Sequence, residues 1–235
     1  MDISPWSPSD LTADTASPWI DGIDVPHYLG TLPDGTDTIV IGDVTGFSDL
    51  AHPQGENIFG FEGTCGLCAC QDVLHQFGRA VSENDMVLHA VENAQCLVSD
   101  APAFAGGTAA ETQAELLADY GIPAHVEHAG SLEDLAVEIE QDRGMIAEVN
   151  YGLLWDNDAA VEDGGADHAI TVTAVSRNPL TGELQGFYVN DSNPGVGGRF
   201  VHADTMELAW LGTGGEYVTT DVTRADTATL TGRTA

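Results

Sequence analysis

The sequence predicts an α+β fold, helices first and strands second, and two observations predict it. Between residues 66 and 143 apolar side chains recur at helical spacing, with polar residues at the starts and glycines at the stops. From Met145 onward, short runs rich in Val, Ile, Thr, Tyr and Phe alternate with turn-like stretches such as NPLTGELQ. Together they describe helices packed against an antiparallel sheet.

The elements follow in order. Residues 1–54 read as an irregular acidic extension. Pro5, Pro8, Pro18, Pro26 and Pro33 interrupt any period, and only Thr38 to Ile41 (TIVI) suggests a short strand. A glycine-rich loop fills residues 50–64. The first helix runs from Gly66 to Phe77 on Leu67, Cys70, Val73, Leu74 and Phe77, and Gly78 closes it. A second starts at Ser82 and runs towards Asn93. Thr108 and Glu111 have the spacing of a capping box for a third, which ends at Gly121-Ile-Pro123. A fourth runs from Ser131 to Arg143. Strands are expected at 145–149, 168–175, 186–190, 199–201 and 216–222, with a short helix near 205–211 between the last two. Residues 226–235 read as a tail.

Bulk composition limits function. Six basic residues, all arginine, stand against 38 acidic ones, for a net charge of −32. A chain so poor in cations has almost nothing to replace phosphate counterions, which excludes a nucleic-acid backbone binder and argues against anionic membranes. No apolar run is long enough to span a bilayer, and residues 1–24 lack the basic and apolar regions of a signal peptide, so a cytoplasmic location is expected. A lysine-free, Asp-rich surface suits concentrated salt, where screening removes self-repulsion. Three of the four cysteines, Cys65, Cys68 and Cys70, fall within six residues, a spacing unlike a disulfide framework, so free thiols are expected.

The chemistry centres on Cys65-Gly66 at the start of the first helix. Unpaired N–H groups and the positive dipole end favour a thiolate there. A nucleophile of this kind needs an imidazole to take its proton and a polar group to orient the imidazole. His168 opens a strand in DHAITVTAV, and Asp191 ends the next in FYVNDSNPG. Adjacent antiparallel strands can bring these two together.

At this point the sequence resembles a family. GTCGLCACQDVLHQFG is similar to the nucleophile helix of the C39-like, papain-fold cysteine peptidases, including the closing Gly78 thirteen positions after the Cys. SENDMVLHAVENA, GGTAAETQAELLADYGIPA, SLEDLAVEIEQDRGMIAEV, DHAITVTAV, FYVNDSNPG and VHADTMELAW resemble its later segments, in order, over residues 55–225. The resemblance implies a papain-like fold and a peptide or protein substrate, with Cys65 as nucleophile, His168 as base and Asp191 as orienting group. The implied reaction is hydrolysis of a peptide or side-chain amide bond. The family also places a Gln six residues before the Cys, where this chain has Phe59. Gln54 fills that oxyanion role only if the intervening loop is an insertion. A papain-type register would instead make Cys68 the nucleophile, with Glu62 in the Gln position.

Other readings compete. A C39-like module without a working oxyanion site would be a binding protein. Cys65-x-x-Cys68 is also a redox or zinc spacing, but NIFGFEGT before it is loop-like where a redox motif follows a strand. His125 and His128, the best second zinc pair, point to opposite faces of a strand. No metal and no cofactor are expected. Cys70 and Cys96 read as small buried hydrophobes, and Trp155 and Trp210 as core. Asp156, Asp158, Glu162, Asp163 and Asp167 read as solvated surface; their functional alternative is a rim beside His168 that favours basic peptides.

Overall fold

The computed structural model describes residues 23, 25–157, 160–161 and 164–231. Residues 1–22, most of the proline-rich start, lie outside them, as do Asp158, Glu162 and Asp163 of the acidic loop.

The organising strand is β5 (His168–Arg177), buried along all ten residues. On one edge its first half pairs with β4 (Met145–Val149) and its second half with β2 (Asp37–Gly42). The other edge pairs with β6 (Leu184–Asp191), which pairs in turn with β7 (Val196–His202). β8 (Glu216–Thr220) extends the sheet beyond β4, and β3 (Ala124–His128) lies beyond β8. β1 (His27–Thr31) closes the far edge on β2, and every pairing is antiparallel.

A strand buried throughout must be covered on both faces. On one face lie α2 (Cys65–Gln76), α3 (Glu83–Glu92) and α4 (Ala110–Asp119), whose Leu67, Val73, Leu74, Met86, Leu116 and Leu117 pack on Ile146, Ala169 and Val218. On the other, α5 (Leu132–Glu140) and α7 (Ala203–Ala209) supply Leu135, Ile139 and Met206 against Met145, Ala147, Ile170 and Val172. The alternation along β4 splits its residues between the two cores: Met145, Ala147 and Val149 to one, Ile146 to the other. The expected helical layer on one face is thus joined by a second layer on the opposite face.

Three further differences from the sequence reading have local causes. The 1–54 extension is not irregular throughout: β1 and β2 form a hairpin within the main sheet, and α1 (Val44–Ser48) follows, capped by Asp43. Pro26 and Pro33 flank β1 rather than interrupt it, and Gly35 at φ 88° makes the turn. Thr108 does not cap α4. Ala109 is the N-cap, and the Thr108 hydroxyl instead accepts from Gln113 Nε2 at 3.4 Å. The tail begins as helix α8 (Arg224–Thr231), anchored where Arg224 Nε donates to Asp142 Oδ1 at 2.8 Å. Ser131 is the N-cap residue of α5, where its backbone N–H donates to Asp134 Oδ2 at 3.0 Å. Among the described residues no helix is long and apolar enough to cross a membrane.

Candidate active site

Cys65 is the first residue of α2, with Thr64 at the N-cap position. The thiol therefore sits over the free N–H groups of the first helical turn. Gly66 is required by what lies beside it: a Cβ there would stand 2.1 Å from Thr108 Oγ1 and 2.7 Å from Gln113 Nε2. The missing side chain lets the segment leading into α4 close on the start of α2.

His168 and Asp191 come from the ends of neighbouring strands. His168 Nε2 donates to Asp191 Oδ1 at 2.7 Å, in a pair that is almost wholly buried. Asp191 is saturated by further donors, Trp155 Nε1 at 2.7 Å on Oδ2 and the Asn193 backbone N–H at 2.8 Å on Oδ1. Arg199 stacks 3.4 Å over the Trp155 ring. Tyr151, which opens the short helix α6 (Tyr151–Leu154), meets the His168 ring edge-on at 5.3 Å between centroids. With Nε2 committed to Asp191, Nδ1 is the nitrogen left for another partner. Burial lowers the His168 pKa. The hydrogen bond to Asp191 and the hydrogen bond and charge of Cys65 outweigh it, pushing the value up to about 10.

Cys65, His168, Gln54, Glu148, Tyr151 and Asp167 line one cleft of about 400 Å³. Gln54 reaches it because the loop between them folds out. Gln54 Nε2 donates to Glu62 O at 2.7 Å, so residues 55–61 form an excursion whose ends meet, with Ile58 and Phe59 exposed near its tip. Ser192 Oγ holds Gln54 Oε1 at 3.0 Å, which leaves one amide hydrogen of Gln54 unassigned. Glu148 on β4 accepts from Gln113 Nε2 at 2.6 Å, and burial pushes its carboxyl up to about 7 against that hydrogen bond.

The remaining sequence candidates lie elsewhere. Cys68 is one turn further along α2, 1% exposed and off the cleft lining, and burial with Glu83 nearby pushes its thiol well above the ordinary range. All four cysteines are free thiols. His125 and His128 pair with carboxylates at the sheet edge, His125 with Asp221 at 2.5 Å and His128 with Glu216 at 3.3 Å. Asp167 accepts from the Tyr151 N–H at 2.8 Å, a structural contact at the cleft wall. Sequence reasoning assigned Trp155 to core and passed over Glu148 and Asn193. The fold brings Trp155 and Glu148 to this site from elements remote in sequence, whereas Asn193 lies in the same FYVNDSNPG segment as Asp191 and bonds it locally.

Several solved structures are similar to this fold. One of them is a crystal structure from Bacillus anthracis described as a "putative C39-like peptidase". The match has a TM-score of 0.53 and 12% identity, and covers 74% of this chain and 96% of that one. At that identity it bears on the fold alone. No family model and no curated protein matches the sequence.

Proposed function

We propose that this chain is a papain-fold cysteine hydrolase acting on an amide bond, with a peptide bond as the default target. The observation that carries the reading is the His168–Asp191 pair at 2.7 Å, facing a helix-terminal Cys65 in an open cleft. The likeness to the C39-like structure supports it at the level of fold. In this mechanism His168 Nδ1 takes the Cys65 proton and the sulfur attacks the amide carbonyl. The oxyanion meets the N–H groups at the start of α2 and the second amide hydrogen of Gln54. The imidazolium returns its proton to the leaving amine, and water, activated by His168, then releases the acid. Asp191 holds the ring in the tautomer that leaves Nδ1 for sulfur.

Alkylation by a small excess of iodoacetamide at mildly acidic pH, mapped by peptide mass spectrometry, tests the pair. Cys65 is expected to label first, and His168→Ala to remove that preference. Where a peptide substrate is turned over, His168→Ala should lower kcat by roughly 10²–10⁴-fold. Slow, equal labelling of all four cysteines would overturn the reading in favour of a binding module, and selective labelling of Cys68 would move the nucleophile there.

A further inference from the structure

Off the cleft lining, one turn along α2 from Cys65, three side chains from separate elements converge. His52 comes from the loop after α1, Cys68 from α2 and Glu83 from the first turn of α3, and their ligand atoms all lie within 4.8 Å of one another. Two polar atoms of these residues, His52 Nε2 and Glu83 Oε2, are buried without a hydrogen-bond partner. Glu83 is 6% exposed and Cys68 1%. The other Glu83 oxygen is fully used: Oε1 accepts from Thr64 Oγ1 at 2.6 Å, Gly55 N at 2.9 Å and Asn57 Nδ2 at 3.1 Å. The carboxylate is therefore held by one oxygen, and the other is left without a hydrogen-bond donor.

The tautomer of His52 follows from its other nitrogen. Nδ1 faces the Leu50 carbonyl at 3.4 Å and Asp72 Oδ1 at 3.9 Å, both acceptors, so Nδ1 carries the proton and Nε2 presents a lone pair. The cluster then holds two acceptors and one thiol, whose sulfur lies 3.9 Å from Thr64 Oγ1. One weak S–H donor cannot satisfy both acceptors, and a buried acceptor left unpaired destabilises the fold. A cation satisfies all three. An imidazole nitrogen, a thiolate and a carboxylate are the donor set of zinc, and their two negative charges match a divalent ion. A histidine ligand whose second nitrogen faces a carbonyl and a carboxylate is the usual supporting arrangement.

We propose that His52, Cys68 and Glu83 bind a zinc-class divalent cation, with water in the fourth position. As the metal–sulfur bond forms, the Cys68 thiol proton passes to solvent. The ion would pin the loop that carries Gln54, two residues from His52, to α2 and α3. This site is distinct from the proposed nucleophile and uses neither Cys65 nor the His125–His128 pair.

Cobalt reports on it, because a thiolate ligand gives Co²⁺ an intense near-ultraviolet charge-transfer band. Protein stripped with a chelator and titrated with Co²⁺ should take up one equivalent with that band, and Zn²⁺ should displace it. Cys65→Ala should keep the band and Cys68→Ser should lose it. His52→Ala, in a loop, should weaken binding at least ~10-fold, the lower end of what an outer-shell partner is worth. That variant decides the matter should Cys68→Ser fail to fold. Absence of the band in the unaltered protein, its loss in Cys65→Ala, or unchanged affinity in His52→Ala would overturn the proposal.

Discussion

At His168 burial and pairing act in opposite directions, and pairing wins, pushing the pKa from 6.5 up to about 10. That shift has a consequence for stability. A base whose folded pKa is raised contributes fully below its unfolded value and loses that contribution as pH climbs through its folded value. The urea midpoint of the unaltered protein should therefore fall between about pH 6.5 and pH 10 more steeply than that of His168→Gln. Glu148 imposes its own fall in both proteins, starting at its ordinary 4.5; the His168 charge helps hold its raised value down to about 7, so the comparison is read in the upper part of the window, towards pH 10. Parallel profiles would mean that His168 is neutral in the fold and that the ion-pair account is wrong. The candidate residues Cys65, His168 and Asp191 were each visible in the sequence because each sits at an element boundary in a short motif. Trp155 was not, because its role is one hydrogen bond to Asp191 across 36 positions.

At the scale of elements, the start of α2 is where the cleft is assembled. Gly66 lets Thr108 and Gln113 approach, and Gln113 in turn holds Glu148. Adding one methyl group should force the segments apart. Gly66→Ala is expected to cost about 1–3 kcal/mol, the range for overpacking a tight contact. It should also slow Cys65 alkylation, because the thiol moves with the helix. Chemical denaturation and the labelling rate read the two effects separately. An unshifted midpoint would show that Thr108 rotates away at little cost. Helix starts and strand runs were legible because they depend on local periodicity. The β1–β2 hairpin was not: Ile39 and Ile41 are buried by α5 and by β5 more than a hundred residues away, whereas the prolines that mask the hairpin are local.

Across the whole molecule the few cations are spent inside the acidic surface. Arg177 bridges Glu133 and Glu140, Arg224 holds Asp142, and Arg143 pairs with Glu138. With six arginines against 38 acidic residues, most of the negative charge has no arginine to offset it. Screening length falls from about 30 Å at 0.01 M salt to about 3 Å at 1 M. The Tm should accordingly rise steadily from dilute buffer to molar KCl, a salt chosen because sulfate would add surface-exclusion effects of its own. A flat Tm would show that self-repulsion does not limit stability, and the salt-adapted reading of the composition would fall.

The sequence by itself determined the charge and most of the order of helices and strands from α2 to β8, and it marked Cys65, His168 and Asp191 as candidates, since these rest on composition, on local periodicity or on short motifs. Only the tertiary structure decided that Gln54 reaches the cleft while Phe59 does not, because that depends on where a loop closes. It alone separated Cys65 from Cys68: the two share a face of α2, but Cys65 at the helix end lines the cleft while Cys68, one turn further in, is buried. It also brought His52, Cys68 and Glu83 together. Convergence of three elements is a property of packing, and no periodicity along the chain encodes it.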